Sequence, residues 1–438
     1  MSNRFNRNDR RITTLMVTAG FVQAFAGSLL VVTLAFSRPD LGLSKGDASW
    51  ILAIIRLGSF TAVAYGIWGD RLGRRRPMLV AFVMILVANL ATALTSGVIA
   101  FTVFQAVARA ASGAVAALAI VYLAEEISPH IRSFSMGIWG VAGSLAGGLA
   151  FLLAPLFELP TDRWRWLFGL SMIGLIAYPL LARFLQESRA FRAPLERPPV
   201  LEVLSGQIGR YFWPLAIAGM AVGAFSGPAV SFASDYLIND LNWSVLASSL
   251  TIISAGALGA TGLLIGGRLA DTWGRRPVIV LGMALGAIGG AGFYWQPGPL
   301  LIVWIVVGSF GSSIFVPAVA ALRSELFPTR NRVVAGALLS AMSVTGAILG
   351  LAFGSWRIDS WGLPTTVTVL AGLALASIPL MLMLPETKGV VLHHDATPTA
   401  PPQGAVQVVQ TDEAAQTDPV ATLPVVKDTG PAGGTEPG

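Results

Sequence analysis

The segment Gly66-Ile67-Trp68-Gly69-Asp70-Arg71-Leu72-Gly73-Arg74-Arg75 returns later in the chain as Gly267-Arg268-Leu269-Ala270-Asp271-Thr272-Trp273-Gly274-Arg275-Arg276. Asp70 and Asp271 are 201 residues apart, and each copy lies between two long apolar runs. A second pair repeats at nearly the same offset. Glu126-Ile127-Ser128-Pro129-His130-Ile131-Arg132 is echoed by Glu325-Leu326-Phe327-Pro328-Thr329-Arg330-Asn331-Arg332, which puts Arg132 and Arg332 200 residues apart. Two unrelated motifs at one offset mean a duplicated unit. The apolar runs beside them make it a membrane unit.

Composition narrows the class. Charged residues are 12% of the 438, against about 25% in soluble domains, and the mean hydropathy is +0.69. The chain has no cysteine, which excludes disulfides and thiolate metal sites. Its three histidines, His130, His393 and His394, all lie outside the apolar runs, so a histidine proton relay within the membrane is excluded. The net charge of +6 sits in short connections between spans, which is a topology signal rather than a nucleic-acid surface. Arg4, Arg7, Arg10 and Arg11 followed by Ala24-Phe25-Ala26 resemble a signal peptide. The apolar run continues to Phe36, however, and residues 12–36 read as a retained first span.

Twelve runs are long enough to cross about 30 Å of hydrocarbon. They cover residues 12–36, 48–69, 77–96, 98–122, 134–156, 165–185, 211–237, 245–267, 277–295, 299–321, 333–355 and 364–384. Twelve spans put both termini on one side. If that side is cytoplasmic, 22 Lys/Arg lie in the termini and cytoplasmic loops, against five in the outer loops (Arg38, Lys45, Arg163, Arg165 and Arg357). Arg56 and Arg109 lie inside spans. The expected fold is an all-α membrane protein of twelve helices, arranged as two six-helix bundles related by a pseudo-twofold axis. Residues 1–186 form the first bundle, 187–210 a cytoplasmic linker and 211–388 the second bundle. Residues 389–438 form a tail too poor in apolar residues to fold alone. Glycines such as Gly137, Gly140, Gly143, Gly147 and Gly148 let helices approach closely and offer smooth faces for sliding.

The repeated aspartates carry chemistry. Asp70 with Arg71, Arg74 and Arg75 falls at the end of span 2, and Asp271 with Arg275 and Arg276 at the end of span 8. Gly66 and Gly73, and Gly267 and Gly274, allow tight crossing and turning. A carboxylate at a helix end beside arginines makes a charge-assisted latch. A topological anchor would need only the arginines. Glu125 or Glu126 is expected to join Arg74, Arg75 and Arg132, and Glu325 to join Arg275, Arg276 and Arg332. Glu126 matches its counterpart by spacing to Pro129 and Glu125 by spacing to Arg132, so the choice stays open.

These motifs resemble the major facilitator superfamily of secondary transporters, over residues 12–389. Asp70 and Asp271 fall in its loop 2–3 and loop 8–9 signatures. The Glu…Pro…Arg segments, Glu187-Ser188-Arg189 and Pro385-Glu386-Thr387-Lys388-Gly389 resemble the sugar-porter and organic-solute branches, although the prolines that usually flank the Glu-Ser are missing. Span 5 reads Gly143-Ser144-Leu145-Ala146-Gly147-Gly148, with serine where the superfamily's drug antiporters carry proline. Many proton-coupled relatives carry a carboxylate on span 1, and Val22-Gln23-Ala24-Phe25-Ala26 has none.

No acid lies mid-span, and Asp235 is nearest, close to the outer end of span 7. Arginine near mid-membrane costs about 2.5–3.5 kcal/mol on insertion scales, so Arg56 and Arg109 should face a cavity or a partner. Arg109 with Gly113 also resembles the superfamily's span-4 Arg-x-x-x-Gly signature. Gln23, Gln105, Asn89, Ser226, Ser231, Ser309 and Ser313 complete the candidate substrate or coupling residues, with Asp235 as the one acid able to carry a proton. Embedded cations without embedded anions favour an anionic or neutral polar solute over a cationic drug. The expected function is alternating-access transport of a small organic anion or sugar-like solute, with protons as the candidate coupling ion. Proton-driven drug export and a non-transporting sensor are the alternatives. The expected setting is the inner (plasma) membrane, as a monomer in the lipid bilayer, with no cofactor and no nucleic-acid partner. No Gly-x-x-x-x-Gly-Lys loop and no nucleophile–base or metal constellation points to an ATP-driven pump or an enzyme.

Overall fold

A computed structural model of the chain describes residues 6–61, 64, 65, 68, 73–128, 131–157, 163–188, 200–296 and 298–389. In hydrocarbon a spanning segment must satisfy its own backbone N–H and C=O groups, so the long apolar runs fold as helices. The first half contains α1 (Arg7–Asp40), α2 (Lys45–Leu57), α3 (Arg75–Ala93), α4 (Val98–Glu126), α5 (Arg132–Leu153) and α6 (Trp164–Phe184). The second half contains α7 (Gly206–Ser231), α8 (Val245–Trp273), α9 (Arg275–Trp295), α10 (Leu300–Leu326), α11 (Thr329–Trp361) and α12 (Leu363–Leu382). Among the described residues, eleven segments are long and apolar enough to cross a membrane. The second expected span is α2 and the 3-10 turn Gly58–Phe60, which lead into residues outside the description. Gly66, Asp70 and Arg71 of the first latch, and the tail from residue 390, also lie outside the described residues.

Helix ends depart from the hydropathy limits. The helix of α7 begins at Gly206, preceded by a short helix at Val200–Leu204, in what the sequence reads as linker. Helix α10 runs to Leu326 instead of stopping at 321. Hydropathy marks where a chain leaves hydrocarbon, whereas a helix continues until its last carbonyls find other partners.

Close packing inside each half follows the small residues. A Cβ placed on Gly259, Gly262 or Gly266 of α8 would come within 2.7 Å of Ser309, Phe310 or Ile314 of α10. Gly267, the glycine singled out by the motif, has no such neighbour within 4 Å. Ser309 and Ser313 lie in this seam, Ser313 with its Cβ against Gly262. Neither is among the residues lining the recess described below.

The two ends of the molecule differ in how the halves meet. One end carries Arg74, Arg75, Arg275 and Arg276 and is called the basic end here; the opposite is the far end. At the basic end the buried apolar side chains form two separate clusters. One runs from Ile12 to Leu185 and draws only on the first half. The other runs from Val203 to Leu384 and draws only on the second. At the far end the clusters are shared. Leu34, Ala48 and Leu52 pack with Phe232, Leu351 and Ile358, and Val245 packs with Leu29, Ile55 and Trp164. The halves are therefore closed on each other at the far end. Gly137, Gly140, Gly147 and Gly148 of α5 have nothing within 4 Å of an added Cβ, so this smooth face is unpartnered in this state.

Candidate functional site

At the basic end each half builds the same device. Gly73 and Gly274 have φ of +95° and +112°, and each is followed by a helix whose first N–H groups lack partners within the helix. A glutamate from after the sixth span of each half fills that role. Glu187 accepts from the backbone N–H groups of Arg74 and Arg75, and Glu386 from those of Arg275 (2.8 Å) and Arg276 (3.0 Å). A Cβ at Gly274 would stand 2.8 Å from the Glu386 carboxylate, so glycine is needed both for the backbone and for the approach. The sequence reading saw Glu187 and Glu386 only as parts of family-like segments. Their spacing from Gly73 and Gly274, 114 and 112 residues, is the signal that would have paired them.

The arginine side chains divide their partners. Arg74 is 3.0 Å from Glu125, whose other oxygen accepts from Ser188 at 2.7 Å. Glu126 also accepts from Ser188, at 3.2 Å. In the second copy Arg275 bridges Glu325 (2.9 Å) and Asp271 (3.0 Å), and Thr387 donates to Glu325. Arg75 and Arg276 do not join the glutamates as expected. Their guanidinium groups donate to the carbonyls of Ala182, at 2.6 Å, and Leu382. The free carbonyls at the ends of α6 and α12 attract a fork of N–H donors better than glutamates already engaged. Arg132 donates to the Ile127 carbonyl at 3.4 Å, and neither its Nε nor that of Arg332 has a partner among the described residues.

Partial burial is the largest single influence on Glu386 and pushes its carboxyl up. The N–H groups of Arg275, Arg276, Lys388 and Thr387 together outweigh it and hold the carboxyl below the ordinary glutamate range. A lowered folded value stabilises the fold above the unfolded value of about 4.3, and that stabilisation is lost as pH falls through the folded value. Glu386→Gln is therefore expected to melt lower than wild type at pH 7. The gap should narrow as the pH is taken below 4, and a gap that stays constant would contradict the capping role. Gly274→Ala should cost about 1–3 kcal/mol, because its φ, ψ region is essentially reserved for glycine. Melting of the detergent-solubilised protein measures both.

The far end is closed by polar contacts between the halves. Asp235, fully buried, accepts from Arg38 Nε at 2.9 Å and from Asn239 at 2.7 Å; its second oxygen is buried without a partner among the described residues. Asn239 also donates to the Ala35 carbonyl at 2.8 Å. Lys45 meets Asp240 at 2.5 Å, and Asp359 accepts from Ser44 Oγ (2.7 Å) and Gly46 N (3.1 Å). Asp235 thus belongs to the closure and does not line the recess described next.

Beneath this closure lies a recess lined by α1, α2, α4 and α7, including Gly27, Arg56, Gln105, Arg109 and Ser231. Arg56 donates to Ser231 of the other half at 3.2 Å, and Arg109 to Ser59 at 3.2 Å. Gln105 lines the recess but spends its amide on Asn89 and Thr92, at 3.2 and 2.8 Å. Asn89 is buried behind it and donates to the Ala26 carbonyl. Gln23 bonds Ser112 at 2.7 Å, and Ser226 bonds its own helix at Gly223. The structure therefore brings together Arg56, Arg109, Gln105 and Ser231 from the predicted set. Asn89 supports them, and Gln23, Ser226, Asp235, Ser309 and Ser313 lie outside the lining. No carboxylate is among the described lining residues.

The family model described as Major Facilitator Superfamily matches residues 16–263 and 215–415. The chain belongs to the Major Facilitator Superfamily of membrane transporters. It is 23% identical over 423 residues to the probable metabolite transport protein CsbC of Bacillus subtilis, covering 84% of this chain and 90% of that one. It is 33% identical over 158 residues to the multidrug resistance protein MdtH of Aeromonas hydrophila, covering 35% of this chain and 38% of that one. Among solved structures it resembles the inward-open xylose transporter XylE of E. coli, with a TM-score of 0.67 and 21% identity over 86% of this chain and 97% of that one.

Proposed function

We propose that this transporter moves a small organic anion by alternating access. The single observation that carries the substrate reading is the recess in which Arg56 and Arg109 stand together with no carboxylate among the described lining residues. Two like charges in one recess repel, and a carboxylate or phosphate bound between them relieves that repulsion while offering acceptors to both forks. A neutral polyol would satisfy the donors but not the charge. A lipophilic cation would add a third positive charge. The likeness to a probable metabolite transport protein, over 84% of this chain, agrees with a small organic solute.

The basic end is assigned to the cytoplasm by its excess of Lys and Arg, with both termini on that side of the cell membrane. On that assignment the closed far end faces outward, and the described state opens to the cytoplasm. Residues 1–186 and 211–388 rock about the recess. The unpartnered glycine face of α5 is the surface that the second half meets when the basic end closes. Protons are the proposed coupling ion, with Asp235 as their carrier; among the described residues it is the only fully buried acid outside the α1 end, where Asp9 lies.

Uptake into proteoliposomes tests the reading, using labelled benzoate, xylose and tetraphenylphosphonium, with and without an inward-directed proton gradient. Benzoate uptake that grows with the gradient is the expected result. Uptake confined to the phosphonium would overturn the electrostatic argument.

A further inference from the structure

A second cavity, of about 270 Å³, lies within the second half. It is lined by α7, α10, α11 and α12, with Leu215, Phe315, Leu339 and Met381 as its apolar wall and Arg323 at its polar end. The apolar run 299–321 ends before Arg323, which places it in a loop by hydropathy alone. The structure carries α10 past it to Leu326, which places it in the helix's last turn.

The internal repeat makes Arg323 anomalous. Glu125 and Glu325 hold equivalent latch positions on α4 and α10, so Arg323, two residues before Glu325, corresponds to Leu123. Leu123 is fully buried in the apolar cluster of the first half. At its counterpart the second half has an arginine, and a cavity in front of it. Arg323 makes no hydrogen bond or ion pair among the described residues, unlike Arg275 one helix away. Gly336 leaves room for it, since a Cβ there would stand 2.7 Å from the guanidinium. A guanidinium set into a half-apolar cavity and left without a protein anion is arranged for an anion from outside the protein.

We propose that this cavity is a second anion site, shaped for an organic anion with an apolar body. The anionic group sits on Arg323, with Ser340 and Ser343 nearby, and the body packs on Phe315, Leu339 and Met381. Leu123, level with Arg323, is 14 residues beyond Arg109 on α4, or about 20 Å of helix rise. The two sites are therefore separate stations along the path, and the second does not rest on the reading of Arg56 and Arg109.

Binding of 2-naphthoate to the full chain in phosphatidylcholine nanodiscs tests this, with neutral 2-naphthol as its isostere. The Arg109→Gln protein isolates the second site. In that background Arg323→Gln should weaken naphthoate binding at least tenfold. Gly219→Leu should do the same with the arginine intact. Gly219 lines the cavity and an added Cβ there meets nothing within 4 Å, so the leucine fills the space without straining the fold. Naphthol should bind at least tenfold more weakly than naphthoate. Naphthoate binding unchanged by both Arg323→Gln and Gly219→Leu, in proteins that melt as wild type, overturns the proposal. If instead wild type and Arg109→Gln bind naphthoate alike, the central recess has failed and the Arg323 site stands. Phosphatidylglycerol nanodiscs separate the sources of the anion. Loss of naphthoate binding there identifies a lipid as the occupant, and retention identifies a soluble solute.

Discussion

Replacing Arg109 by alanine is expected to abolish transport of organic anions while leaving the protein folded and able to melt as wild type. Arg109 has one described side-chain partner, Ser59 Oγ at 3.2 Å, so its removal strands little inside the protein. What is lost is the charged donor to the substrate. Hydrogen bonds to charged groups contribute about 1.5–3 kcal/mol each, and losing one such contact lowers affinity roughly tenfold to a hundredfold. A bidentate contact loses more, and the repulsion that recruits the anion disappears as well. Arg109→Lys should fall between the two, because it keeps the charge but not the planar fork. Arg56→Gln is a different experiment. Arg56 also donates to Ser231 across the two halves, so that variant should both weaken binding and loosen the far end. Anion uptake by Arg109→Ala at the wild-type rate would remove the recess from the transport path.

The architecture was legible in the sequence because two physical signals are strong in any membrane duplication. Lipid demands long apolar runs, and topology demands charge asymmetry in the loops. The latch was legible in part. Arg74, Arg275 and the glutamates could be named from the repeat, but not the preference of Arg75 and Arg276 for helix-end carbonyls. That preference depends on where α6 and α12 stop, which no side-chain pattern encodes. Arg323 was missed for a related reason. Local hydropathy falls across Arg323-Ser324-Glu325, so the segment reads as a loop although the helix continues. The place of Ser309 and Ser313 beside glycines of α8 was not legible, because an intramembrane serine looks the same in sequence whether it lines a cavity or stands beside a glycine. The pairing of Arg38 with Asp235 spans 197 residues and exists only once the halves dock, so nothing local announces it.

That pairing sets the second large effect. Arg38→Ala should shift the protein from its far-end-closed state toward a far-end-open one. Asp235 is completely buried and Arg38 nearly so, with side-chain exposures of 0% and 15%. Removing one partner of a buried pair costs about 3–5 kcal/mol, because the other charge stays behind in a low-dielectric site. Here the cost applies only to the closed state, since opening the far end lets water reach Asp235. A penalty of about 3 kcal/mol confined to one state changes the ratio of the two states roughly a hundredfold. Lys45→Ala should do far less. Its pair with Asp240 is partly exposed on both sides, at 20% and 29%, where such contacts are worth less than about 1 kcal/mol. The chain has no cysteine, so one introduced thiol reports cleanly. Leu52→Cys is suitable, because Leu52 lines the recess and is 4% exposed in the closed state. An impermeant maleimide added from the far side should label it slowly in the Leu52→Cys parent and much faster with Arg38→Ala. With Arg38→Ala/Asp235→Asn the rate should fall back toward the parent, because no buried charge is then stranded. Equal rates across the series, in proteins of equal melting temperature, would show that the apolar clusters alone hold the far end shut.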